Sequence, residues 1–104
     1  MTPKPSTTYP HLHRLFAAYV NQDWDTYGPV PEDAVAAYVR DATKAERAAT
    51  VVEIRALLAA SPATKVLDVV LDELHCGYDP RAHGVSTARW LARIAALLER
   101  PPKA

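Results

Sequence analysis

Between Tyr9 and Tyr27 the chain reads YPHLHRLFAAYVNQDWDTY, and within it Leu12, Leu15, Phe16, Tyr19 and Val20 recur at the i, i+3, i+4, i+7, i+8 spacing. On a strand these five side chains would split between both faces, whereas on an α-helix they form one stripe that has to be buried against another element. Pro10 suits the first turn, where the N–H it lacks has no intrahelical partner. The helix is expected to give out near Asn21. Beyond it lies a connector with Gln22, Asp23, Trp24, Asp25 and Tyr27, ended by Gly28 and Pro29.

The same period recurs along the chain. Ala34, Val35, Tyr38 and Val39 mark a second helix over 31–41, with Glu32 and Asp33 in its first turn, where the helix dipole favours acids. Thr43 followed by Glu46 is a capping box that opens a third helix reaching about Ala60. Its buried side is expected to be Ala48, Val51, Val52, Ile54 and Leu58, with Arg47, Glu53 and Arg55 left to solvent. Ser61 and Pro62 end that helix and start a fourth, whose stripe is Val66, Leu67, Val70, Leu71 and Leu74. The β-branched run VLDVVL alone reads as a strand, but its flanks and its period of three to four favour helix. A loop with Gly77, Pro80 and Gly84 follows, then a last helix capped by Ser86, carrying Trp90, Leu91, Ile94, Leu97 and Leu98, and stopped by Pro101 and Pro102. The expectation is an all-α, compact single domain of about five helices over residues 9–100, with a disordered arm at 1–8 and a tail at 101–104.

Several function classes are disfavoured. At 49% hydrophobic and 23% charged residues the chain is too apolar for intrinsic disorder. Twelve basic residues balance twelve acidic ones, so no bulk charge draws it to nucleic acid or an anionic membrane. Its one cysteine, Cys76, forms no internal disulfide, and the first ten residues hold no apolar run, which together suit a cytoplasmic protein without signal peptide or membrane anchor. His11 and His13 lie two apart, on different sides of a helix, and His75, Cys76 and His83 match no zinc spacing, so no metal or other cofactor is expected. With three isolated glycines there is neither a phosphate-cradling loop nor a nucleophile elbow, and an enzyme is not expected.

The balanced total conceals a block pattern. Asp23, Asp25, Glu32, Asp33 and Asp41 face Arg40 alone between Tyr19 and Asp41, and Asp68, Asp72, Glu73 and Asp79 face no base between Val66 and Pro80. Arg81, Arg89, Arg93, Arg100 and Lys103 gather towards the C-terminal end. If the two acidic blocks share one side of the bundle, they present a face suited to a cationic cleft; the plain alternative is ordinary solvated surface.

Taken in order, Tyr9, Pro10, Leu12, Leu15, Phe16, Tyr19, Gln22, Asp23, Trp24 and Tyr27, then Gly77, Tyr78, Pro80, Gly84, Ser86, Trp90 and Leu91, resemble the immunity proteins of bacterial contact-dependent growth inhibition. The likeness runs from about Tyr9 to Leu98. One departure is the Val30 and Pro31 entry to the second helix, where a Ser or similar cap would be expected. The resemblance implies a cytoplasmic antidote that binds one toxin domain, one to one, and blocks its active site. It also implies that the toxin is a nuclease, an RNase of the ribonuclease A type among the candidates. The alternative is a small helical adaptor or regulator using the same acidic face on another basic protein. Residues common to such a family tend to hold the fold, so Trp24 is read as closing the core and Asp23 as a local cap. The expected partner contacts are Asp25, Tyr27, Glu32, Asp33, Asp72, Glu73, Tyr78 and Asp79.

Overall fold

A computed structural model of the protein describes residues 4–60 and 64–99. Its helices are α1 (Pro5–Thr8), α2 (Pro10–Ala18), α3 (Pro31–Asp41), α4 (Lys44–Ala60), α5 (Thr64–Glu73) and α6 (Thr87–Glu99). Two 3-10 turns, Trp24–Thr26 and Pro80–His83, interrupt the loops, and no strand occurs among the described residues. The all-α reading holds, with six α-helices in place of five. The sixth is α1, a single turn inside the segment read as an arm, and it touches both α2 and α5. The Ser61-Pro62 junction and the 101–104 tail lie outside the described residues.

All five longer helices feed one core. Leu12, Leu15 and Phe16 come from α2, Val35 and Tyr38 from α3, Ile54 and Leu57 from α4, Leu67 and Leu71 from α5, and Trp90, Leu91 and Ile94 from α6. The broadest packing joins α4 to α6, while the Phe16 and Trp90 rings stack at 6.0 Å, tying α2 to α6.

On α4 the buried face is rotated from the expected one. Thr50, Val51, Ile54 and Leu57 face inward, while Val52 is 66% exposed and Ala48 is also exposed. Thr50 escapes an apolar count, yet its hydroxyl is fully satisfied: Oγ1 donates to the Glu46 carbonyl (2.9 Å), and therefore accepts the Tyr38 hydroxyl (2.8 Å). With that bond made, the position fills as an apolar one would. A smaller correction holds on α5, where Val66, expected on the buried stripe, stands in solvent while the core takes Leu67, Leu71 and Leu74.

Helix starts follow local chemistry. The Thr43 capping box forms, with Thr43 N–H donating to Glu46 (2.9 Å) and Glu46 N–H to Thr43 Oγ1 (3.1 Å). These bonds from Thr43 hold the Glu46 carboxyl below its ordinary range. Ser86 Oγ accepts from Arg89 N–H (3.2 Å). At α3, Val30 has no side-chain acceptor, and the Asp33 carboxylate supplies half a box by accepting Val30 N–H (3.3 Å).

Helix α2 is capped from across the bundle. Glu53 of α4, expected in solvent, is only 13% exposed and accepts the Leu12 N–H (2.9 Å), the His11 N–H (3.2 Å) and the His11 Nδ1 (2.6 Å). Two of the orphan donors at the start of α2 are thus satisfied by an anion placed where the helix dipole favours one.

Candidate partner-binding face

The face is organised by the strap from His75 to Asp79. Helix α5 ends in a Schellman turn, with His75 N–H donating to the Asp72 carbonyl and Cys76 N–H to the Leu71 carbonyl, each at 3.0 Å. His75 holds the left-handed position (φ 66°) that glycine usually takes. The strap then crosses the chain leaving α2, and Gly77 N–H donates to the Val20 carbonyl at 2.8 Å. A Cβ on Gly77 would stand 2.1 Å from the Asn21 carbonyl carbon, so only glycine allows this approach.

Tyr78 locks the strap onto the bundle. Its ring meets Trp24 edge-on at 5.5 Å, Trp90 at 5.2 Å and His83 in a parallel stack at 5.3 Å. These contacts hold the Tyr78 ring against the bundle, and the half-buried Trp24 packs on the core as its reading as a core-closing residue expected. Burial and, next, the nearby Glu32 carboxylate push the Tyr78 phenol above its ordinary pKa, with Arg93 opposing them. Glu32 and Arg93 therefore flank the strap, 3.9 Å from each other.

Two clefts open on either side of it. One, of about 300 Å³, is lined by Asp68, Asp72, Tyr78, Asp79, Arg81 and Thr87; the other, of about 550 Å³, by Asn21, Gln22, Asp23, Asp72 and His75. Asp72, Cys76 and Gly77 belong to both. Asp23 of the first acidic block and Asp72 of the second therefore line one cleft together, while Asp68 and Asp79 of the second line the other.

The expected contact residues divide. Asp72, Tyr78 and Asp79 line the smaller cleft together, while Glu32 lines neither cleft and lies 3.9 Å from Arg93. Asp25 is exposed in the turn that Trp24 pins to Tyr78. Tyr27 is 43% exposed and packs on Tyr19 at 6.0 Å, whose hydroxyl donates to Asp41 at 2.8 Å. Asp33 is engaged in capping α3, and Glu73, though exposed, lines neither cleft. Asp23 is not the cap it was read as: Asn21 Oδ1 accepts the Asp23 N–H (2.8 Å), and the Asp23 side chain is left facing the larger cleft.

Sequence reasoning missed the group formed by Asp68, Arg81 and Thr87. Asp68 Oδ1 accepts the Thr87 hydroxyl at 2.5 Å, and Arg81 Nη1 lies 2.9 Å from Asp68 Oδ2. Asp79 Oδ1 accepts Arg81 N–H (3.0 Å) and Nε–H (3.4 Å). Two of the arginines assigned to the C-terminal end, Arg81 and Arg93, thus return to the acidic side and neutralise it in part. Nothing local in the sequence marks Asp68 and Thr87, 19 residues apart, as partners.

The chain matches the model of the CdiI immunity protein family over residues 8–98. It is also similar to a chain in the crystal structure of a CdiA-CT/CdiI complex from Y. kristensenii 33638, with 31% identity and a TM-score of 0.85. That match covers 94% of this chain and 100% of the other. The chain belongs to the CdiI immunity protein family. No curated protein matches it. Membership of the CdiI family fits the resemblance read from the sequence almost to its limits, and it implies an inhibitor rather than an enzyme. Among the described residues no group of three or more His, Cys, Asp or Glu side chains is placed to hold a metal, and no helix is long and apolar enough to cross a membrane.

In this CdiI protein Cys76 sits under the strap, with its thiol donating to the Tyr78 carbonyl at 3.4 Å. Burial, foremost, pushes the thiol pKa up to about 12. Folded protein at pH 8 is therefore expected to react with a disulfide reagent far more slowly than protein unfolded in urea. Unfolded, the thiol ionises near pH 9, and folded it does so near 12, so its contribution to stability falls as pH rises through that window. Equal labelling rates in the folded and unfolded states would contradict this burial.

Proposed function

We propose that this chain binds a CdiA-CT toxin domain, one to one, in the cytoplasm and neutralises it by occluding its active site with the ridge around the strap. The observation that carries the reading is that Asp23, Asp68, Asp72 and Asp79 line two adjoining clefts on one side of the bundle, against Arg81. Such a face complements a cleft built to hold phosphates, which supports a nuclease as the toxin, an RNase of the ribonuclease A type among the candidates. Family membership and the likeness to a chain from a toxin–immunity complex support the same partner class. Size permits it: a standard interface takes about 800 Å² from each partner, against 6395 Å² of surface on this chain.

Charge reversal tests the face. Neither the Asp23 nor the Asp72 carboxylate is bonded within the described residues, so Asp23→Lys with Asp72→Lys should leave the melting temperature nearly unchanged. Association with the toxin domain, followed by stopped flow at low salt, is expected to slow by about tenfold or more and to lose much of its salt dependence. Wild-type association kinetics in that variant would remove the ridge from the interface. In a cleavage assay with the purified toxin domain on RNA, an equimolar amount of this chain should abolish turnover. A toxin that leaves RNA intact would refute the RNase assignment, and one that leaves DNA intact as well would refute the nuclease assignment.

A further inference from the structure

Two imidazoles meet beside the larger cleft, and the toxin-binding reading uses neither. His13 comes from α2 and His75 from the turn that ends α5, and their ring centroids stand 5.5 Å apart with 46° between the planes. Nothing in the spacing of the sequence pairs them; the docking of the strap against α2 does. Among the described residues neither ring takes part in a hydrogen bond or an ion pair, whereas the His11 ring is held by Glu53 and the His83 ring lies on Tyr78. His75 is exposed and His13 half-buried, so solvent reaches the pair. Among the described residues His75 is also the one non-glycine at positive φ, a position where a side chain carries a backbone cost that glycine avoids.

The separation suits a shared metal ion. A histidine nitrogen lies about 2.0–2.1 Å from zinc, which puts the ring centroid about 3.2 Å from the ion, so two rings on one ion at about 110–120° have centroids about 5.2–5.5 Å apart. Imidazole nitrogen suits copper, nickel and zinc, while magnesium and calcium require oxygen. The Asp23 and Asp72 carboxylates, which line the same cleft as His75, add a negative potential that favours a dication. We infer that His13 and His75 form a two-histidine site for a late first-row transition-metal dication, with water in its other positions, and that the bound ion staples the strap to α2. Only the folded chain brings the two rings together, so the ion stabilises the fold by mass action.

Nickel chloride is the probe, with magnesium chloride at equal concentration as the control for the carboxylates. On the full chain, nickel at about a hundred times its Kd should raise the melting temperature by on the order of 10 °C, and magnesium should leave it nearly unchanged. His13→Gln or His75→Gln should weaken nickel binding in a calorimetric titration by at least about tenfold, since losing even an outer-shell partner of a metal ligand costs that much. His83→Gln removes another exposed imidazole and should leave the affinity unchanged. Nickel is paramagnetic, and it should broaden the ring resonances of His13 and His75 ahead of those of His11 and His83. Hydrogen exchange at Gly77 N–H, which donates to the Val20 carbonyl two residues along the strap from His75, should slow by about tenfold with nickel bound. Equal effects of nickel and magnesium, or wild-type affinity in either glutamine variant, would overturn the site. Nickel held by the pair without slower exchange at Gly77 would overturn the staple. No toxin enters these measurements, so a failure of the function proposed above leaves their outcome unaffected.

Discussion

Replacing Glu53 by alanine is expected to destabilise the fold by roughly 3 kcal/mol, since it strands two backbone donors and one imidazole at a nearly buried site. For a domain this size that corresponds to a drop on the order of 15 °C in melting temperature. Glu53→Gln retains an acceptor oxygen but not the charge and should fall between, at about 1–2 kcal/mol. His11→Ala removes one of the three bonds and leaves both backbone donors satisfied, so it should be the mildest, at about 1 kcal/mol. Urea melts of the three variants check this ordering. A loss under about 1 kcal/mol for Glu53→Ala would mean that α2 is held by its apolar face alone, and that the cross-bundle cap contributes nothing measurable.

The second large effect belongs to Gly77. Alanine there would bring its Cβ within 2.1 Å of the Asn21 carbonyl carbon and 2.2 Å of the Gln22 nitrogen, both backbone atoms that cannot swing aside as a side chain can. The strap would have to lift, breaking the bond from Gly77 N–H to the Val20 carbonyl and drawing Tyr78 away from Trp24 and Trp90. A loss of about 2–4 kcal/mol is expected, the range of overpacking combined with a broken backbone hydrogen bond. The near-ultraviolet circular dichroism of the Trp24, Tyr78 and Trp90 cluster should fall with it, and toxin binding should weaken, because both clefts share the strap as a wall. Gly84 is the control. It sits at φ 76° with open space around it, so Gly84→Ala carries only the backbone strain, about 1 kcal/mol. Equal losses at the two glycines would show that close approach is not what Gly77 provides.

On α4 the helical period marks the buried face only in part. It placed Val51 and Ile54 in the core correctly, but it also drew in Val52 and Ala48 and passed over Thr50 and Leu57. An alanine-rich helix offers little contrast between its faces, and a threonine whose hydroxyl is satisfied within the fold is indistinguishable from a core residue once packed. On α6 the apolar stripe is flanked by Arg89 and Arg93, and Trp90, Leu91, Ile94 and Leu98 were all legible as core.

What the sequence by itself determined is everything settled within a few residues: the helical class, the Thr43 and Ser86 caps, the break at Gly28 and Pro29, and the family likeness carried by ordered aromatics and turns. Only the tertiary structure decided that Glu53 caps a helix 42 residues away, that Asp68 and Arg81 meet in a cleft, and that Asp23 and Asp72 line another together. The reason is geometric. Hydrophobic period and capping chemistry say which face a helix buries and where it starts, but a bond between distant side chains depends on how the helices dock, and docking is set by the packing of the whole core.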